Sequence, residues 1–144
     1  MRILAAAAHD FVRSCMRSGY GVDMTDLQAL LSKPPASFAW SVSADGQRTI
    51  GVALGAVIDI WEDHIELAVL VPPDDAALAA RGGALLLLVL CALRPDWVTA
   101  PDWLKVQMGI AARAKGYYEG QHFGRRVMFS FDRAQSRAML RLHQ

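Results

Sequence analysis

The stretch VLVPPDDAALAARGGALLLLVL, Val69 to Leu90, decides how this chain is read. Its apolar end runs on to Leu93, and Ala84–Leu93 is the longest uninterrupted apolar run in the sequence, at ten residues. A membrane-spanning helix needs about 20, so the run is read as a buried helix of a soluble, cytoplasmic domain. VLVPP is read as the end of a strand, because two successive prolines cannot continue a hydrogen-bonded ladder. Between strand and helix lies ARGG. If the helix starts there, the unpaired N–H groups of its first turn, its dipole, two glycines and the Arg81 charge make an anion site. If it starts at DDAAL, Gly82 and Gly83 lie inside the helix as a kink or packing point and no such site exists. From the sequence both readings stay open.

Upstream, Ile3, Leu4, Ala7, Ala8, Phe11, Val12, Cys15 and Met16 recur at helical spacing, opposite His9, Asp10, Arg13 and Arg17. The charges that interrupt this run argue against a signal peptide. A second helix is expected over TDLQALLSKPP, opened by a capping box of Thr25 and Gln28 and ended before Pro34. Phe38, Trp40 and Val42 then alternate, ADGQ supplies a turn, and Ile50, Val52 and Leu54 alternate on a return strand in which Gly51 and Gly55 mark a bulge or close approach. A charged turn leads to a third strand, IELAVLV, so a three-strand antiparallel meander is predicted.

Downstream of the apolar helix, WVTA is read as a short strand and Trp103–Tyr118 as a helix. RRVMFSF is read as a strand, and Asp132 as the cap of a closing helix with Ala134, Ala138 and Leu142 on its apolar side. The predicted fold is α+β, a central, mostly antiparallel sheet flanked by helices. The 144 residues show no linker or repeat, so one domain is expected over 1–144. Hydrophobic residues make up 53% and mean hydropathy is +0.22, which argues against disorder.

Cys15 and Cys91 each sit in an apolar run with no CxxC spacing, so buried thiols in a reducing compartment are expected. The four histidines are scattered, and no metal site is predicted. The net charge of +1 is unevenly spread: residues 1–102 carry seven Lys/Arg against twelve Asp/Glu, and residues 103–144 carry eight against two. Such asymmetry marks an anionic partner or two complementary halves of one fold. Nucleic-acid binding through the basic HFGRR segment, with Arg125, Arg126 and the aromatic residues Tyr117, Tyr118, Phe123 and Phe129, rests on this charge alone, and nucleic acid is not the expected partner.

Three segments carry a family resemblance. FAWSVSADGQRTIGVALGAV, IELAVLVPP and ARGGALLLLVL resemble the second and third strands, the fourth strand, and the cofactor loop with its following helix in the GNAT acyl-CoA N-acyltransferase superfamily. The resemblance covers about Phe38 to Phe129 and implies a GNAT-like fold, acetyl-CoA as cofactor and an amine acceptor. It implies that Arg81, Gly82, Gly83 and Ala84 hold the coenzyme A pyrophosphate, and that the pantetheine arm pairs with backbone along Leu67–Val71, with Val69 and Val71 among the contacts. The family's Asn and Tyr positions fall near Lys105 and on Ala112, so its usual general acid is missing from its place. Tyr117 and Tyr118 are the substitutes at hand.

Acyl transfer to an amine needs a base, an oxyanion donor and an acid for the thiolate. Glu66, beside Asp59, Glu62 and Asp63, is the base candidate, with His64 as a second. Backbone N–H near Val69 is the oxyanion candidate. The alternative is a non-enzymatic, protein-binding module of inhibitor or immunity type on a GNAT-like or other α+β scaffold, and the missing Asn and Tyr favour it.

Overall fold

A computed structural model describes residues 24–113, 116–122 and 124–143. The helix expected over residues 3–16 lies outside the described residues. The first described element is α1 (Met24–Ser32), which begins one residue before the expected cap at Thr25. Its Leu27 and Leu31, four apart and therefore on one face, are fully buried. At its end the Ser32 hydroxyl donates to the Gln28 carbonyl (2.7 Å) and accepts from Trp40 Nε1 (2.7 Å), pinning the helix to the first strand.

Four strands follow: β1 (Ala39–Val42), β2 (Thr49–Ala53), β3 (Ala56–Ile60) and β4 (His64–Leu70). The expected three-strand meander is thus a four-strand one. The return strand through Leu54 is two strands joined by the Leu54–Gly55 turn, with Ala53 opposite Ala56 and Gly55 at φ +66°. An L-residue rarely holds that φ. The turn hid in the sequence because its first residue is a leucine, 74% exposed, inside an unbroken apolar run. The ADGQ turn is where it was expected, with Gly46 at φ +72° and Asp45 Oδ1 accepting from the Ser43 hydroxyl (2.6 Å) and the Gln47 N–H (3.0 Å).

Two helices come next, α2 (Ala76–Leu93) and α3 (Ala100–Arg113), with a turn and no strand at Trp97–Ala100. The chain closes with β5 (Tyr117–His122), β6 (Arg125–Asp132) and β7 (Arg137–His143). The expected closing helix is therefore a strand. Asp132 Oδ1 does accept from the N–H groups of Ala134 (3.0 Å) and Gln135 (3.3 Å), as a helix cap would. The chain then turns back through Ser136 at φ +50°. Ala134, Ala138 and Leu142 fit a helical stripe, but Ala138, Leu140 and Leu142 are the buried set, and that period of two is a strand's. Tyr117 and Tyr118, expected at a helix end, are likewise on a strand.

The seven strands form one sheet in the order β1-β2-β3-β4-β7-β6-β5, and every neighbouring pair is antiparallel. The fold is α+β, as expected. The last strand lies at the centre, paired with β4 from His64↔His143 to Leu70↔Arg137. Ile65, Leu67 and Val69 of β4 and Ala138, Leu140 and Leu142 of β7 point to one face and are buried under α2 with Leu85, Leu86, Val89 and Leu90. Each of the Val, Leu and Ile side chains contributes about 1.5–3 kcal/mol on burial. Arg94, which caps α2 through its N–H to the Leu90 carbonyl (2.9 Å), is buried and its guanidinium donates to the His143 carbonyl, tying the helix end to β7.

α2 also has the length and apolarity of a membrane span by composition alone, with mean hydropathy 2.2 over its 18 residues. In this fold half of it is buried within the protein. At Gly82 it comes close to the sheet. A Cβ added to Gly82 would stand 2.6 Å from the Leu70 carbonyl oxygen, whereas one on Gly83 would meet nothing within 4 Å. Adjacent glycines therefore predict opposite outcomes. Gly82→Ala is expected to destabilise the protein by pushing α2 off β4. Gly83→Ala is expected to stabilise it by up to about 1 kcal/mol through helix propensity. Chemical denaturation of both variants checks this, and equal effects would contradict the packing described.

Candidate functional site

The helix that contains ARGG starts well before it. Asp75 is the N-cap, its Oδ1 accepting from the Leu78 N–H at 3.0 Å. An α-helix leaves only its first four N–H groups unpaired, and Gly82, Gly83 and Ala84 lie beyond them. Arg81 is engaged elsewhere: its Nε donates to the Leu54 carbonyl (3.1 Å), Nη1 to Pro35 (3.0 Å) and Nη2 to Ala36 (2.8 Å). It staples α2 to the β2–β3 turn and to the segment after α1. Of the two openings left by the sequence, the structure has the one in which the glycines lie inside the helix, with Gly82 as a packing point.

The fourth-strand backbone is also occupied. β4 is laddered on both sides, with Val69 opposite Ala56 on β3 and Ala138 on β7. Beyond the strand, the Val71 N–H donates to the Ser136 carbonyl at 2.8 Å. A pantetheine arm would find no free strand edge at Val69 and Val71, and the Val69 N–H is not free to meet an oxyanion.

Nor do the expected catalytic side chains converge. Glu66 points to the face away from the helices, where its Oε2 accepts from Arg141 Nε (3.1 Å) and Nη2 (2.9 Å). Tyr117 lies on that same face but on β5, beyond β7 and β6, roughly 14 Å across the sheet at 4.7–4.9 Å per strand. Its hydroxyl donates to Glu119 (2.9 Å), and that bond to a carboxylate raises its pKa. Glu119 is in turn held low by Arg126, to which it is paired, and then by Tyr117. Tyr118 points to the opposite face, into an aromatic cluster with Trp103 (5.2 Å, edge-on) and His122 (hydroxyl to Nε2, 3.2 Å) that seats α3 on β5 and β6. Phe129 joins that cluster through Trp103, and Phe123 lies outside the described residues. His64 stacks on Trp61 and hydrogen-bonds Asp63. The uneven charge is partly resolved within the fold, since Arg141 from the basic half pairs with Glu66 from the acidic half.

A different feature emerges from the strand registers. On the face away from the helices, Ala39, Val52, Val57, Ala68 and Met139 stand opposite one another in turn across β1, β2, β3, β4 and β7, and the row continues through Ser130 to Tyr117. This is a largely apolar stripe running across the strands. A charged row flanks it on one side, Asp59–Glu66–Arg141–Met128–Glu119. On the other side stand Leu70, Arg137 and Asp132. A groove of about 470 Å³ opens on the stripe, with Val52, Val57, Ala68, Leu70 and Met139 among its walls and Asp59, Glu66 and Arg137 at its rim. No described element covers this face, and Val52, Val57 and Leu70 are 50%, 40% and 39% exposed.

Sequence reasoning missed this stripe, although a signal was present. A strand with one wet face should alternate apolar and polar residues, and TIGVALGAVIDI is apolar on both. Models of known protein families, curated proteins and solved structures give no match to this chain.

The aromatic cluster sets a pH dependence. His122 stacks on Trp97 at 3.8 Å, and burial lowers its pKa from the ordinary 6.5. The unfolded chain therefore takes up a proton at this imidazole before the folded one does, and stability falls as pH drops below about 6.5. Melting temperature is expected to decline between pH 7 and pH 5, with a shallower decline in His122→Gln; an equally steep decline in the variant would remove His122 as the cause.

Proposed function

We propose that this chain is a non-enzymatic, protein-binding module whose ligand is an amphipathic helical segment laid across the open face of the sheet. The observation that carries this is the apolar stripe. β3, β4 and β7 have no free backbone edge beneath it, so recognition there is by side chains, as when a helix docks in a groove. From Val52 to Met139 the stripe crosses three strand spacings, about 14 Å, which about nine residues of helix match at 1.5 Å per residue. Apolar side chains at i, i+4 and i+8 would follow it. Arg137, at the groove rim, has no ion-pair partner among the described residues and calls for a carboxylate on the ligand. Met139 supplies an adaptable wall.

The test uses a panel of helical peptides with that apolar spacing and one carboxylate. Fluorescence anisotropy is expected to find members binding the wild-type protein at micromolar Kd and at least about tenfold more weakly to Val57→Glu and Met139→Glu. Equal affinity for wild type and variants would overturn the reading. So would no binding together with a Val57→Cys thiol protected from a maleimide, which would mean that residues 1–23 or a second copy already cover the face.

Acyl transfer from acetyl-CoA to an amine on a divergent GNAT-like scaffold is the competing proposal. The α+β class is compatible with it, but it needs a pyrophosphate site other than Arg81–Ala84 and an acid other than Tyr117 or Tyr118. Acetyl-CoA at about millimolar concentration is accordingly expected to leave the melting temperature unchanged. A rise in melting temperature would restore the acyltransferase reading, with the pyrophosphate held away from Arg81–Ala84.

A further inference from the structure

At one end of the open face, away from the apolar stripe, the topology brings His143 to the distant pair Asp63–His64. His64 opens β4 and His143 closes β7, and the register places them directly opposite each other. Their rings stack with centroids 5.1 Å apart and planes 20° from parallel. Trp61 stacks on the other side of His64 at 4.4 Å and 13°, so the ring of His64 is held between two others. Asp63, in the turn before β4, places Oδ1 2.7 Å from His64 Nδ1. One ligand atom from each of Asp63, His64 and His143 falls within 4.8 Å of the other two. His143 Nε2 is buried and has no hydrogen-bond partner among the described residues. A buried ring nitrogen without a partner is costly, and a metal ion would satisfy it.

We propose that Asp63, His64 and His143 bind a divalent transition-metal ion of the zinc, cobalt or nickel type. Two imidazoles and one carboxylate are a donor set that such ions favour, and hard oxygen-seeking ions do not. Metal–nitrogen and metal–oxygen bonds of about 2.0–2.2 Å put tetrahedral ligand atoms roughly 3.4 Å apart. The ligand atoms now lie within 4.8 Å of one another, so metal binding requires the side chains to draw in by about 1 Å. Three protein ligands leave the fourth position open to water or to a donor atom of a bound molecule. The β4–β7 ladder fixes the Cα positions of both histidines, and the Arg94 guanidinium holds the His143 carbonyl, so the site is preorganised at the backbone. It is independent of the peptide face, because the charged row containing Glu66 and Arg141 separates the two.

The experiment is a titration of the chelator-stripped full chain with Zn2+ against a chromophoric competitor, with Co2+ absorption as a report on coordination. One equivalent is expected to bind at micromolar Kd or tighter, and Co2+ is expected to give the visible bands of a low-coordinate N/O site. His64→Ala and His143→Ala should each weaken binding by about 100-fold, and Asp63→Asn by about tenfold. His9→Ala and His122→Ala should leave it unchanged. Absence of binding at about 100 µM Zn2+, or affinity indifferent to His143→Ala and Asp63→Asn in variants with a native circular dichroism spectrum, would overturn the site. In the second case the ion sits elsewhere, and the Asp63–His64 contact is a simple ion pair.

Discussion

The pairing of β4 with β7 is the contact on which the rest depends. It joins two local meanders, β1–β4 and β5–β7, into one sheet, and it supplies the floor on which α2 lies. Its inward side chains form the centre of the core. Its outward side chains set Glu66 against Arg141, Ala68 against Met139 and His64 against His143. Both the apolar stripe and the histidine pair are therefore products of one register. A slip by one residue would exchange inward for outward positions along β7 and remove both.

The same contact explains the helix–sheet packing. Because α2 covers β4, it must approach the strand end where Leu70 and Val71 leave the ladder, and at Gly82 the approach leaves no room for a Cβ. Arg81, one residue earlier, reaches the other way to three carbonyls. A glycine pair after an arginine reads as an anion loop when the helix is assumed to start there. The Asp75 cap, seven residues upstream of Gly82, changes its meaning. The sequence held that cap too, since DDAAL is a fair helix start, and only the tertiary contact of Gly82 with β4 decides between the two.

Much of the fold was legible where a single period ruled. The meander, its Asp45–Gly46 turn, the apolar body of the helix that ends at Leu93 and the strand at Arg125–Asp132 all follow from spacing. The errors fell where two periods coincide or where a turn lacks polar residues. Ala134, Ala138 and Leu142 are four apart, a separation that places residues together on a helix and on a strand alike, and only Leu140 separates the cases. Leu54–Gly55 carries no polar side chain to mark a turn. The candidate sites were less legible for a different reason. His64 and His143 are brought together only by a pairing between distant strands, and nothing local to either histidine signals it.

The central place of β7 also bears on how the chain is made. β1–β4, α2, α3 and the β5–β6 hairpin all emerge from the ribosome before β7 does. Until then the edge of β4 that β7 will occupy has no strand to pair with, and the inward faces of Ile65, Leu67 and Val69 lack their neighbours Ala138, Leu140 and Leu142. An unpaired, apolar strand edge is a template for pairing between chains. The nascent protein thus carries an adhesive strand edge at the centre of its sheet until β7 is made, and the finished sheet buries that edge.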